Sequence, residues 1–485
     1  MIVSIARSLL TGKKLISAKW LVLLAFTVSF SAAAFGAEPI AIGSRRELLI
    51  DDFLLAKITS ARLVLHRPVA RELALVHDRP WEGSTSAYHT VFQDGSIYRM
   101  YYRGSNYDRK RRKSTHAETV CYARSGDGIN WTRPDLGIVE FSGSKKNNIV
   151  WTGVGAHNFA PFKDTNPKCK PDGKYKALGR GKGGLYAFKS PDAVHWSRIG
   201  DKPVITKGAF DSQNLAFYDP LGGRYVEFHR GFRNGVRDIM TCTSADFRTW
   251  SDPVWLSYPG APREHLYTNQ ISPYFRAPHI YIGFPKRFLP KRKGKVFGQS
   301  GLSDGVFMTS RDGRTFKRWT EAFVRPGPQK QRWVNRNNMT AWGIVVTKSA
   351  IDSAPDELSI YSTEHYYQEP ACKIRRYTIR VDGFVSLQAP MSGGTAVTKP
   401  ITFTGRRLEI NYATSAAGSV RIEIQDAGGR PLSGYALADC REIYGDEIDG
   451  SVVWKNGPDV SKLAGKPVRL RFALKDADLY AFRFR

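Results

Sequence analysis

A seven-residue signature, Ser-x-Asp-x-x-x-Trp, recurs along this chain and limits what it can fold into. It stands at Ser125-Gly126-Asp127-Gly128-Ile129-Asn130-Trp131 and again from Ser190 to Trp196 and from Ser244 to Trp250. A variant ending in Phe316 begins at Ser310, and a degenerate copy lies at Arg380-Val381-Asp382-Gly383. The starts are roughly 50–70 residues apart, room for one four-stranded propeller blade with its loops. Five copies predict five blades. Each is preceded by a strand, an Asp-containing turn and an aromatic-rich strand, as in Val91-Phe92-Gln93-Asp94-Gly95 followed by Tyr98-Arg99-Met100-Tyr101-Tyr102-Arg103. An Asp in such a turn accepts backbone N–H bonds and the ring packs between blades, so Asp127, Asp192, Asp246 and Asp312 read as structural. The turn residues Asp94 and Asp219 read likewise.

The expected fold is therefore all-β: a five-bladed β-propeller followed by a small antiparallel β-sandwich. Residues 45–392 hold the propeller, with residues 47–68 supplying an outer strand that closes the ring. Beyond residue 393, strict alternation in Leu408-Glu409-Ile410-Asn411-Tyr412, Val420-Arg421-Ile422-Glu423-Ile424 and Val468-Arg469-Leu470-Arg471-Phe472 predicts half-buried strands of the sandwich.

Residues 1–37 have a signal-peptide layout: Arg7, Lys13, Lys14 and Lys19, then an apolar run from Trp20, then small residues at Gly36 and Ala37. The run is short for a membrane span, and no later stretch is long and apolar enough. The chain is expected in the periplasm or outside the cell. The net charge of +29 falls by those four cations to +25 after cleavage. Such an excess favours an acidic partner. An exported chain meets anionic polysaccharide rather than nucleic acid, and aromatic residues at 12% suit sugar binding. Cys121, Cys169, Cys242, Cys372 and Cys440 are too sparse for a disulfide scaffold and are expected as free thiols. In particular, Cys121 and Cys242 precede turns of non-adjacent blades and should not pair. Neither C-x-x-C nor H-E-x-x-H occurs, so no metal site is predicted, although a structural calcium in the central channel is compatible with the fold.

Strand alternation puts the segments entering each inner strand, and the loops after each second strand, on one face. Those entries are polar: Trp81-Glu82-Gly83 through His89, His157-Asn158, Asp211-Ser212-Gln213-Asn214, Glu264-His265-Leu266-Tyr267-Thr268-Asn269 and Asn335-Arg336-Asn337-Asn338. Ordinary strand starts do not need such clusters, and a converging funnel does. Five blades followed by a sandwich resemble the glycoside hydrolases of families 32, 43 and 68 and their unassigned bacterial relatives. The resemblance is architectural, since the Asn-Asp-Pro-Asn-Gly pattern of family 32 is absent. It implies catalytic carboxylates at the entries of blades one, three and four, which are Glu82, Asp211 and Glu264. Their implied roles are nucleophile or base, transition-state stabiliser, and general acid. Glycoside hydrolysis needs one protonated and one ionised carboxyl across the bond. Asp78 and Glu364 are rival acids.

Trp81, Asn158, Gln213, Asn214, His265, Tyr267, Asn269 and Asn338 are candidate substrate contacts, as is Glu364. His89 and His157 read either as substrate ligands or as channel-lining core histidines. Arg103, Arg180 and Arg230 end second strands on the same face. Basic runs follow at Arg109-Lys110-Arg111-Arg112-Lys113 and from Lys286-Arg287 to Lys291-Arg292-Lys293. Together they predict an anion-binding mouth. The function expected is an exported glycoside hydrolase on a sulfated or uronic-acid-rich glycan. A non-catalytic carbohydrate-binding propeller and a glycoside phosphorylase are the alternatives.

Overall fold

The structure is a computed structural model that describes residues 38–296 and 300–485. The expected leader, residues 1–37, lies outside the described residues. Among those described, no helix is long and apolar enough to cross a membrane, and three short 3-10 turns interrupt an otherwise all-β chain.

Five four-stranded antiparallel sheets make up the propeller. Blade one runs from its inner strand Ala87–Asp94 through Ile97–Gly104 and Thr119–Ser125 to Ile149–Thr152. Blades two, three and four start at Ala160–Lys163, Leu215–Asp219 and Ser272–Tyr274. Blade five starts at Val345–Thr347 and ends on a strand from the other end of the chain, Val69–Val76, paired to Lys373–Arg380. Closure therefore uses residues just beyond the predicted 47–68. The segment 69–76 is mostly exposed or half-buried, as an outer edge strand is, whereas Leu48 and Ile50 are fully buried and belong to another core.

The repeated turns hold the ring. Asp127 Oδ1 accepts from the backbone N–H groups of Ile129 and Asn130 at 2.8 Å each, and Asp192, Asp246 and Asp312 repeat the pattern. Each turn then reaches the preceding blade. Trp131 packs edge-on against Tyr361 of blade five, Trp196 against Tyr101 of blade one, and Phe247 against Phe162 of blade two. The Tyr101 hydroxyl also donates to the Ala193 carbonyl at 2.7 Å. Blade five joins blade one through the Val91 N–H, which donates to the Trp342 carbonyl at 2.7 Å. Gly343 sits against the Val91 carbonyl with φ of +110°, where any Cβ would collide.

Ten further strands form one sheet folded around its own core of Ile42, Leu408, Ile422, Trp454, Leu470 and Phe482. Its range differs from the predicted 393–485. Val385–Ala389 already belongs to it, as do the N-terminal strands Ile40–Gly43, Glu47–Leu48, Leu55–Thr59 and Arg62–Leu65. The predicted short strands prove to be halves of long ones, Leu408–Asp426 and Val468–Phe484, and the pairing slips between Thr414 and Ser419. Alternation reads the same in two short strands as in one bent long strand, so the sequence pattern does not separate them. Leu48, Ile50 and Ala481 pack with Ile280, Phe307 and Phe384, so this sheet shares a core with the propeller. All five cysteines are free thiols. Cys121 and Cys242 lie on third strands of different blades.

Candidate functional site

The blade entries converge, and Asp211 is the carboxylate that they present. It precedes the inner strand of blade three, and its side chain keeps 46% of its exposure. Oδ1 accepts from His157 Nε2 at 2.9 Å. On the other side of the same ring, Nδ1 lies 2.9 Å from both oxygens of Glu118, which enters the third strand of blade one. Arg103 approaches Glu118 at 3.4 Å and Nδ1 at 3.3 Å. Ionised carboxylates accept only, so a doubly protonated imidazole satisfies both neighbours. The hydrogen bond from His157 holds Asp211 well below the usual carboxylate range. Burial opposes this, and His157, Arg230 and Arg336 add to it. Burial pushes Glu118 up, but His157 and Arg103 more than offset it, so Glu118 is also lowered.

Aromatic rings line the same place. The hydroxyls of Tyr88 and Tyr267 meet at 2.7 Å, and Arg103 donates to the Tyr366 hydroxyl at 2.8 Å. Arg103 lies 4.9 Å from the Tyr88 ring centroid, and Arg336 lies 5.4 Å from those of Tyr366 and Tyr367. Backbone strain concentrates here. Tyr88, Gln270, Arg336, Asn338, His365 and Tyr367 all have φ between +46° and +71°. Such conformations cost on the order of 1–3 kcal/mol each and persist where surrounding structure enforces them, commonly at functional sites.

Four further cations gather beside Asp211. Lys286 Nζ lies 4.1 Å from the Tyr267 ring centroid and Arg230 lies 5.1 Å from it. Arg237 stands 5.3 Å from Phe232 and 5.1 Å from Phe288, and Arg336 completes the group. Burial pushes the Lys286 amine far down, and Arg336, Arg237 and Arg230 push it further.

The other predicted acids sit elsewhere. Glu82 is closed off from solvent: Oε1 accepts from the Tyr102 hydroxyl at 2.5 Å, and Oε2 from Arg133 at 2.7 Å. Burial raises its pKa, with Arg133 and Tyr102 opposing. Glu264 is clamped between Arg287 at 3.2 Å and Arg318 at 2.6 Å. Glu364 is buried against Arg375 at 2.9 Å and Arg332 at 3.3 Å. Asp78 pairs with Arg133 at 3.1 Å. Glu82 and Glu364 are buried in ion pairs and Glu264 is clamped by two arginines, while Asp78 keeps 56% of its side-chain exposure beside Arg133.

Several predicted substrate contacts hold backbone carbonyls, within a blade entry or between blades. Asn158 donates to the carbonyls of Phe210 and Ser212, Asn214 to the same two, and Asn269 to that of Phe228. Gln213 spans the channel to the Thr90 hydroxyl and accepts from Gln270. These amides and hydroxyls offer a channel calcium no carboxylate. Asn338 is tied to Ser303 and Arg332. His89 is buried, its Nε2 3.0 Å from that of His77. Trp81 donates to Asn148 at 2.7 Å, and His265 Nδ1 accepts from the Arg237 N–H at 3.2 Å. Arg180 is exposed.

Of the predicted residues, Asp211, His157, Arg103, Arg230 and Tyr267 do come together. Lys286 joins them from the predicted basic run, and Tyr88, Glu118, Arg237, Arg336, Tyr366 and Tyr367 join without having been singled out as site residues. The basic run at Lys286 is a strand, Lys286–Lys293, in a small sheet of its own. Its first residue turns inward and Arg287 is neutralised by Asp304 at 2.7 Å.

No family model matches the chain. It is 26% identical over 153 residues to "Uncharacterized protein Rv1502" of Mycobacterium tuberculosis, covering 29% of this chain and 44% of that protein. The chain thus spans less than half the length of this curated relative. Among solved structures it is similar to a "Glycoside hydrolase" at TM-score 0.43 and 16% identity, over 66% of this chain and 93% of that one. It is also similar to the Bombyx mori GH32 beta-fructofuranosidase BmSUC1 at TM-score 0.41 and 10% identity, over 86% and 95%. The catalytic domain of the Coprinopsis cinerea GH62 alpha-L-arabinofuranosidase follows at 0.42 and 9%, over 65% and 99%. The chain is an all-β propeller whose structural neighbours include glycoside hydrolases. Its five sheets and their closure define the fold without them.

Proposed function

We propose that the protein is an exported glycoside hydrolase that cleaves an anionic poly- or oligosaccharide at the mouth of the propeller. The observation that carries this reading is Asp211, a half-exposed, ionised carboxylate where strained, aromatic-lined blade entries converge. A base or charge stabiliser at a glycosidic carbon needs that state, and the leaving oxygen needs a proton from elsewhere. His157, held between two carboxylates, is the group that carries one. Asp211 activates water or stabilises positive charge on the sugar, His157 protonates the leaving oxygen, and Glu118 fixes the ring. The tyrosines offer faces for the sugar to stack on. The net charge of +29 supports an acidic polymer as substrate.

The test is reducing-end release from a panel of sulfated, uronic-acid-bearing and neutral glycans. Asp211→Asn is expected to lower kcat/KM by about 10²–10⁴. Glu264→Gln is expected to change it less than about tenfold once the protein is shown to be folded, because that carboxylate acts within an ion pair. Wild-type protein that binds glycans and releases nothing from any of them would make it a carbohydrate-binding propeller instead. A second reading, phosphorolysis, is favoured by one observation: a single free carboxylate beside several cations. Phosphate as nucleophile removes the need for a second carboxyl.

A further inference from the structure

Among the described residues, the buried cations have carboxylate partners with two exceptions, Arg230 and Lys286, and the half-buried Arg237 and Arg336 beside them have none either. Arg46 has Asp382, Arg103 has Glu118, Arg318 has Glu264, Arg332 has Glu364, Arg376 has Glu72 and Lys176 has Asp164. Among the described residues, Arg230, Arg237, Lys286 and Arg336 have no carboxylate within ion-pair distance, although Arg230 is 4% exposed and Lys286 is 1% exposed. Unpaired buried charge is unfavourable, so a cluster of it calls for an explanation.

Aromatic faces account for part of it. Tyr267, Phe232 and Phe288 serve as backing for Arg230, Arg237 and Lys286. The N–H donors remain. Lys286 Nζ spends one on Asn335 Oδ1 at 3.0 Å, Arg230 Nε one on the Ala209 carbonyl at 3.1 Å, and Arg336 reaches two tyrosine hydroxyls. Arg237 Nε is buried with no hydrogen-bond partner at all. The one nearby acid, Asp211, is turned to His157. Forked guanidinium donors and a lysine amine gathered on the same aromatic rings are equipment for a planar or tetrahedral oxyanion.

We propose that Arg230, Arg237, Lys286 and Arg336 form a seat for a single oxyanion group, a sulfate, phosphate or carboxylate, directly beside Asp211. The proposal rests on the reading of this mouth as the glycan site and names the group the mouth selects. The oxyanion has two sources. Borne on the sugar, as a sulfate ester or uronic carboxylate, it places the adjacent glycosidic bond at Asp211. Supplied as free phosphate, it is the nucleophile. In that step a phosphate oxygen forms the bond to the anomeric carbon as the bond to the leaving oxygen breaks. The leaving oxygen takes its proton from His157, and a sugar phosphate results.

Inorganic sulfate and inorganic phosphate are titrated by calorimetry into the full chain against sodium chloride of equal ionic strength. Saturable binding of either anion is expected, weakened at least tenfold in Arg237→Gln and in Lys286→Met. If either variant fails to fold, Arg336→Gln, near the mouth, gives the same reading. Asp211→Asn is expected to lose turnover while keeping or tightening anion binding, which separates this proposal from the catalytic one. Turnover of a sulfated or uronic-acid glycan but not of its desulfated or carboxyl-reduced form assigns the oxyanion to the substrate. Sugar phosphate formed only with added phosphate assigns it to the co-substrate. Wild type that binds neither anion better than chloride overturns the seat, as does binding that the substitutions leave unchanged. Asp211-dependent cleavage of a neutral glycan in that case leaves the hydrolase standing alone.

Discussion

Glu82 and Asp211 are both acids at blade entries, and their surroundings give them opposite work. Glu82 is enclosed with Arg133 and Tyr102, while Asp211 looks out with only His157 on it. Removing one partner of a buried ion pair costs about 3–5 kcal/mol, because the other charge is left without compensation. Glu82→Ala is therefore expected to lower the urea-unfolding free energy by about that much. A Glu82→Ala protein with wild-type stability and a hundredfold loss of kcat/KM would return Glu82 to the catalytic list. Glu82 and Glu264 looked catalytic in the sequence because their partners are far along the chain: Arg133 lies 51 residues from Glu82, and Arg318 lies 54 from Glu264. Asp127 and its counterparts were legible because the N–H groups they accept from are two and three residues away. Glu118 and Arg237 belong to no local pattern, and only the meeting of blades brings them to His157 and Lys286.

At the scale of elements, the junction between propeller and C-terminal sheet turns on Glu47. This residue lies in a two-residue strand paired to Val468–Phe484, yet its carboxylate reaches Arg311 in the turn of blade four at 2.8 Å and His279 at 3.2 Å. Burial pushes its pKa up, but His279 and Arg311 outweigh it and bring it from 4.5 to about 2. A carboxyl with a lowered folded pKa adds stability above its unfolded value, and that stability is lost as pH falls toward the folded value. About 3 kcal/mol should disappear between pH 5 and 2. Glu47→Gln should flatten that stretch of the stability–pH curve, measured by chemical unfolding at each pH. A variant curve that parallels the wild type would remove Glu47 from the junction's account. The repeat showed the blades, but not which strand completes the fifth. Strands 47–48 and 69–76 are both short and partly apolar, and only the partner edge distinguishes them.

The whole molecule carries +29, and the two basic runs contribute to it differently. Lys286 and Arg287 are turned inward or neutralised, while Lys110–Lys113 stand exposed on the loop of blade one. A field of one sign speeds capture of a polyanion, and salt screens it over about 8–10 Å near physiological strength. The association rate of a sulfated polymer, followed by stopped flow, should fall steeply from low to high salt. Neutralising residues 110–113 should reduce the low-salt rate and leave the unfolding free energy within about 0.5 kcal/mol. A rate indifferent to salt would sink the electrostatic account and leave the buried seat untouched.

The last blade is completed by residues 69–76, and Glu47–Leu48 pairs with Phe482 and Ala481 at the far end of the chain. Both closures wait on segments made late in synthesis: Lys373–Arg380 for the ring, and the final strand for the sheet beneath it. Until Lys373–Arg380 is made, Val69–Val76 has no edge to join, although blades one to four are built from strands close in sequence. Long-range pairing of this kind is slow. It leaves the N-terminal strands without their partners until the later segments are made. Loss of Ala481 and Phe482 would take away the partner of Glu47–Leu48, while the ring closure at Lys373–Arg380 would keep its own.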